Sequence, residues 1–184
     1  MLDPQSAILT ALYHRQRDEA IRLADGAALT IWEAAALGRD GRVAELLDAD
    51  ASLLNRMSPD GYHPLGLAAF FGAAPTVRLL LERGADVSVT ATNPMRVQAL
   101  HAAVASRNIE IVRMLLDAGA DPNATQQLGY TPLMGAASGG SAEMVDLLLS
   151  RGADPSAVSE DGKTAASIAR EHGQGALADR VASA

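Results

Sequence analysis

The sequence predicts an all-α repeat solenoid, a row of short helix pairs stacked side by side and joined by tight turns. Three observations predict it. A glycine-led segment recurs as GADVSV from Gly84, GADPNA from Gly119 and GADPSA from Gly152, with glycines 35 and 33 residues apart. Each follows an apolar run, VRLLLERGAD, VRMLLDAGAD or VDLLLSRGAD, whose apolar residues fall at the i, i+3 and i+4 positions of one helix face. Alanine supplies 37 of the 184 residues, so an apolar content of 48% is built from small side chains that let helices approach closely.

Each element of the repeat has a local reason. Upstream of the apolar runs lie the alanine-rich segments PLGLAAFFG, ALHAAVASR and TPLMGAASGG, in which Leu65, Leu100 and Leu133 keep one phase. Thr131 is placed to cap a helix and Pro132 to occupy its first turn, where a missing N–H costs least. Ala-Ala pairs at 68–69, 102–103 and 136–137 then face neighbouring helices. In the second helix of each pair Arg78, Arg113 and Asp146 fall outside the apolar stripe. Glycines 84, 119 and 152 follow, where a helix commonly ends in a left-handed residue. The phase extends back to Ile31, 34 residues before Leu65, and forward to Ala166, 33 after Leu133. No unit buries its apolar face alone, and stacking solves this.

On these motifs the chain resembles the ankyrin repeat family, whose TPLH-like turn, two antiparallel helices and GAD-type exit recur every 33 residues. The resemblance runs from about residue 27 to the C-terminus. It divides the chain, read as a single domain over 1–184, into an N-terminal cap at 1–26, repeats at 27–57, 58–92, 93–125 and 126–158, and a C-terminal capping repeat at 159–184. The units depart from one frame: the turn reads Tyr62-His63-Pro64-Leu65-Gly66 in the second, Gln98-Ala99-Leu100-His101 in the third and Thr131-Pro132-Leu133-Met134 in the fourth. His101 matches the turn histidine of the family and takes a structural role, and Trp32 stands at the same position in the first unit, where core or cap packing is expected. The cap segment SAILTALYHRQRDEAIRLA reads as a shortened helix pair with Leu9, Leu12, Ile21 and Leu23 inward. Arg15, Arg17, Asp18 and Glu19 lie near its turn. At the other end Leu177 and Val181 are the large apolar residues of the last helix.

Composition narrows the function. Without cysteine there is no disulfide framework, thiolate metal site or cysteine nucleophile. The net charge of −7, with basic residues dispersed, disfavours nucleic acid. No run reaches the length of a membrane span, and MLDPQSAILTAL lacks the basic start of a signal peptide, so a cytoplasmic monomer is expected. Fourteen of the fifteen basic residues are Arg, a bias that suggests a GC-rich bacterial genome. Phosphate-loop, dinucleotide, zinc-protease, nucleophile-elbow and EF-hand motifs are missing. The four histidines share no repeat position, so neither a metal, a cofactor nor a catalytic site is expected.

What the resemblance implies is a binding module that holds another protein on a concave face made of hairpin tips and first helices. Its register gives Pro59, Asp60, Tyr62, Phe70 and Phe71 in the second unit, and Gln127, Leu128, Tyr130, Ser138 and Gly139 in the fourth. In the fifth it gives Glu160, Asp161, Lys163, Glu171 and His172, and in the first Ala36 and Leu37. Four of the six aromatics of the chain fall on this set, and aromatics dominate interface energetics. The connection from Gly84 to Leu100 is two residues longer than that from Gly119 to Leu133 and carries Asn93-Pro94, which projects Met95 and Arg96 from its tip. The expected partner-binding residues are therefore Tyr62, Phe70, Phe71, Met95, Arg96, Leu128, Tyr130, Glu171 and His172, around a shallow trough. Its floor is Ala105, Ser106, Ser138 and Gly139, with Phe70 and Phe71 as one wall and Glu171 and His172 as the other. The alternatives are that Phe70 and Phe71 pack on the next unit, Phe71 less than Phe70, and that the longer tip is a tolerated surface insertion. A passive structural or regulatory subunit, or a small-molecule or enzymatic site in the trough, are the competing functions.

Overall fold

The computed structural model describes residues 6–184 and holds twelve α-helices and no strand among them. The first five residues of the expected N-terminal cap lie outside the described residues. The cap pair is α1 (Ala7–Tyr13) and α2 (Arg17–Ala24). Five pairs follow: α3 (Ile31–Leu37) with α4 (Asp40–Ala49), α5 (Pro64–Phe70) with α6 (Ala74–Glu82), and α7 (Ala99–Ala105) with α8 (Ile109–Asp117). Then come α9 (Pro132–Gly139) with α10 (Ala142–Ser150) and α11 (Ala165–Glu171) with α12 (Gly175–Ala182). The first helices α3, α5, α7, α9 and α11 pack in sequence as one row, and α4, α6 and α8 pack behind them.

Alanine makes this row possible. Ala68, Ala69, Ala103 and Ala137 are fully buried between first helices, alongside Leu65, Leu100 and Leu133 at the phase positions. Burial of each such leucine contributes roughly 1.5–3 kcal/mol. Arg78, Arg113 and Asp146 point to solvent as their stripe position requires. Thr131 accepts a hydrogen bond from the Met134 N–H at 3.3 Å and Pro132 opens the first turn, so this helix begins as its residues dictate. Most first helices end on a left-handed glycine, Gly38, Gly72, Gly140 and Gly173 with φ of 72°, 74°, 73° and 73°. In α7 the same place is taken by Arg107, at φ 56°.

The turn network is built in three chemically different ways. His101 accepts at Nδ1 from the Gln98 N–H at 3.4 Å, and its Nε2 bonds the Ala124 carbonyl at 3.1 Å, tying the helix start to the following loop. Trp32 does the same work in α3, two units earlier, donating Nε1–H to the Arg56 carbonyl at 2.8 Å. In α5 the histidine has moved: His63 sits at the helix cap, accepts from the Gly66 N–H at 3.3 Å, and is 1% exposed. The position taken by His101 in α7 is Gly66 here. A Cβ on Gly66 would lie 3.1 Å from His63 Nε2, so the ring rests over a helix position that has no side chain.

At the N-terminal end the structure corrects the expected packing. Ile21 and Leu23 are 40% and 39% exposed, and the buried face of α2 is Ala20 and Ala24, one turn apart. The cap pair approaches closely through these small residues, which turns the two large ones outward. Ala36 and Leu37 are buried instead of lining an open face, because α1 packs against α3. Ser6 caps α1 and its hydroxyl also donates to Glu33, which closes the capping box of α3 with Thr30. Leu177 and Val181 close the opposite end, both buried.

Candidate partner-binding face

Four hairpins bring the tip residues to one edge of the first-helix row. Each is closed by a backbone bond: Ser58 to Tyr62 at 2.8 Å, Ala91 to Val97 at 2.9 Å, Gln126 to Tyr130 at 3.0 Å and Ser159 to Lys163 at 2.9 Å. The second encloses two more residues than the others, as its sequence requires. Neighbouring tips are bonded through their backbones. Thr92 N–H donates to the Gly61 carbonyl at 3.0 Å, Gln127 N–H to that of Met95 at 3.0 Å, and Glu160 N–H to that of Leu128 at 2.9 Å. Gly61 is irreplaceable in this arrangement: its φ is 82°, and a Cβ there would come within 2.8 Å of the Asn93 nitrogen.

The aromatic end of the face is a cluster of four rings. Tyr13, at the end of α1, lies 6.3 Å from Tyr62, 6.4 Å from Phe70 and 5.5 Å from Phe71 between ring centroids. Phe70 and Phe71 meet edge to face at 5.1 Å. Such pairs each contribute roughly 0.5–1.5 kcal/mol beyond their buried area. The order expected for the two phenylalanines is reversed: Phe71 packs half-buried against the core while Phe70 remains 43% exposed. The Tyr13 hydroxyl donates to Asp60 Oδ2 at 3.0 Å, and burial, reinforced by the Asp60 charge, holds its ionisation well above the ordinary phenol range.

The depression on this face is a cavity of about 310 Å³, narrower and placed differently from the expected trough. Phe70 and Tyr13 form one side and Met95 and Val97 the other, with Gly66, Ala102 and Ala105 beneath. Of the expected floor only Ala105 belongs to it. Ser106, Ser138 and Gly139 lie outside, and Glu171 and His172 are not its far wall. The longer second hairpin explains the difference: Met95 and Val97 line the cavity with residues of α5 and α7, and no residue of α9 belongs to it. Met95 is 47% exposed. Arg96, between two lining residues, takes a left-handed φ of 51° and is exposed without joining the lining.

The remaining expected residues gather at the opposite end as a polar group. Tyr130 donates to Asp161 Oδ2 at 3.2 Å, and Lys163 pairs with Glu171 at 2.6 Å. The Ser159 hydroxyl, ahead of Tyr130 and Lys163, holds the Asp161 carboxyl below its usual range, so it is an anion at neutral pH. His172 bonds the carbonyl of Ile168 through Nδ1 at 2.9 Å. Leu128 is 49% exposed on a left-handed backbone of φ 62°.

Tyr13, Val97 and Gln126 are the face residues that sequence reasoning missed. The cap lacks a hairpin and stands outside the 33-residue register, so nothing in the spacing links Tyr13 to Tyr62. Its one signal is that it is the sole aromatic of the cap.

Comparison with known proteins supplies the remaining context. A family model for ankyrin repeats (3 copies) matches residues 31–126 and, again, 100–181. The chain is similar to Ankyrin repeat and SAM domain-containing protein 6 of Rattus norvegicus, 38% identical over 101 residues, which is 55% of this chain and 11% of that protein. SH3 and multiple ankyrin repeat domains protein 1 of Homo sapiens is 36% identical over 102 residues, 55% of this chain and 5% of the relative. BCL-6 corepressor-like protein 1 of Homo sapiens is 34% identical over 100 residues, 54% of this chain and 6% of the relative. The chain thus spans about a tenth or less of the length of these relatives. They are mammalian and lend no support to the bacterial origin suggested by the arginine bias. Among the described residues no helix is long and apolar enough to cross a membrane.

Proposed function

Because the chain belongs to the ankyrin repeat family, we propose that it is a non-catalytic protein-binding module that recognises a partner on the concave face of hairpin tips and first helices. Ankyrin repeats are generally protein–protein interaction modules, and the relatives share this region while differing from the chain over most of their own length. One observation carries the choice of face. Phe70 and Met95, two of the large apolar side chains left exposed, line one apolar cavity on this side of the stack, and a third, Leu128, stands exposed on a neighbouring hairpin tip. Exposed apolar groups gathered around a concavity mark an interaction surface, whereas scattered ones need no explanation.

Tyr62, Phe70 and Met95 form the apolar half of the proposed surface; Tyr130, Glu171 and His172 form the polar half, with Leu128 as an exposed apolar residue beside them. Phe71 contributes by holding Phe70 and Tyr13 in place. Arg96 stands at the rim, where it governs encounter more than residence. The test is affinity capture of a partner by the full chain, compared with a Phe70→Ala/Met95→Ala variant that still unfolds in one cooperative transition well above the assay temperature. Loss of a stoichiometric partner with the variant supports this reading; retention of every partner at unchanged affinity overturns it.

A further inference from the structure

The cavity beside Phe70 and the carboxylates of the fourth hairpin lie on one face, and together they describe a ligand. The cavity is mainly apolar and about 310 Å³ in volume. That volume admits one bulky side chain. Of its four polar lining side chains, Tyr13 is spent on Asp60 and His101 on Gln98 and Ala124, while Tyr62 and Gln126 are uncharged and offer no counter-charge. A charged group would therefore be desolvated there without compensation, and an apolar group would not.

The fourth hairpin has the opposite chemistry. Glu160 is exposed and has no ion pair among the described residues. Asp161 accepts only the hydroxyls of Ser159 and Tyr130, at 2.5 and 3.2 Å. Lys163, the neighbouring cation, is committed to Glu171. The tip thus sets three carboxylates, Glu160, Asp161 and Glu171, against the single cation Lys163, which is paired with Glu171 and only partly screens Asp161, so it keeps a net negative charge. Between the second hairpin, which walls the cavity, and the fourth there are two helix-to-helix steps of about 10 Å each. An extended chain rises about 3.3 Å per residue and covers that distance in about six residues.

Resting on the concave-face reading above, we propose that the partner presents an extended segment with one bulky apolar side chain in the cavity and, about six residues along, a lysine or arginine on Glu160 and Asp161. The apolar anchor supplies most of the affinity, since it is the fully desolvated contact. The solvated cation fixes direction and register and makes binding sensitive to salt.

The experiment is selection of random twelve-residue peptides displayed on phage against the full chain, with enriched peptides synthesised and titrated. The expected result is a bulky apolar residue spaced five to seven positions from a lysine or arginine. Ala105→Trp, which fills the cavity from an exposed position, weakens these peptides at least about tenfold, and so does Glu160→Gln/Asp161→Asn in low salt. Peptides that require Phe70 but show no spaced basic residue and ignore the neutralised carboxylates overturn this inference while leaving the face intact. A library yielding no peptide sensitive to either Phe70→Ala or Ala105→Trp overturns both. A concentration-dependent dimer in sedimentation that Ala105→Trp abolishes assigns the cavity to a second copy of the chain and overturns the segment.

Discussion

The hydroxyl of Tyr13 donates to Asp60 at 3.0 Å and so joins the N-terminal cap to the first hairpin tip across 47 residues of sequence. The same ring contacts Tyr62, Phe70 and Phe71, so the cap does more than cover the end of the stack: it supplies a wall of the candidate site. Tyr13→Phe keeps the ring and removes a hydrogen bond to an anion, at a cost of about 1.5–3 kcal/mol. The expected result is a lower urea midpoint together with faster amide exchange in α1. An unchanged midpoint would show the bond to be dispensable.

Phe70 and Phe71 are adjacent and chemically identical, yet they should behave oppositely. Phe70→Ala, at the more exposed site, gives up its ring contacts with Tyr13 and Phe71 and should cost about 1–1.5 kcal/mol of stability while abolishing capture of a partner. Phe71→Ala removes a half-buried ring that packs against the core as well as against two rings and should cost about 2–3 kcal/mol. Paired thermal melts and capture assays distinguish them; equal losses of stability would contradict the assignment.

Acid should destabilise the fold through a histidine. Desolvation pushes His63 down to about 4, against the pull of the Val89 carbonyl and of Asp86, and burial lowers His101 as well. An unfolded histidine titrates near about 6.5. Between these values the unfolded chain binds a proton that the folded chain refuses. Stability is therefore complete above about pH 6.5, falls as the pH drops towards 4, and levels off below. For His63 the loss is on the order of 3 kcal/mol. His63→Asn retains an acceptor at the cap and cannot titrate, so its urea midpoint should drop less between pH 7.5 and 4.5 than that of the parent; parallel drops would exclude His63 as the cause.

Arg107 holds a left-handed backbone where the other first helices end in glycine. That conformation costs a side-chain-bearing residue roughly 1–2 kcal/mol, and glycine gives back about 0.4–1 kcal/mol through the flexibility it adds to the unfolded chain. Arg107→Gly should thus stabilise by about 0.5–1 kcal/mol, and Gly72→Ala, the reverse exchange one unit earlier, should destabilise. Calorimetric midpoints moving in the same direction for both would refute the account.

The frame of the molecule is legible in the sequence because it repeats. Leu65, Leu100 and Leu133 each report the same buried position, and Thr131-Pro132 states where a helix begins. What is illegible is unique. The exchange of roles between His63 and Gly66 occurs once, and only the space above a missing side chain explains it. Ile21 and Leu23 look like core by hydrophobicity, but Ala20 and Ala24 win the interior because close approach favours the smaller pair. The face was readable as a set of positions; the cavity was not, since it depends on Met95 and Val97 joining residues of α5 and α7 and on Tyr13 arriving from a cap outside the register.

Besides the side-chain bonds of Asn93 to the Asp60 carbonyl and of Tyr130 to Asp161, each hairpin tip is tied to the next by a bond from main chain to main chain, from Thr92 to Gly61, Gln127 to Met95 and Glu160 to Leu128. None of these main-chain bonds consumes a side chain. Evolution can accordingly rewrite residues 92, 95, 127, 128 and 160 without loosening the frame that displays them, so that recognition and foldability are separately heritable. A lineage of such chains would diversify its targets at the tips while its alanine-lined interior stayed still.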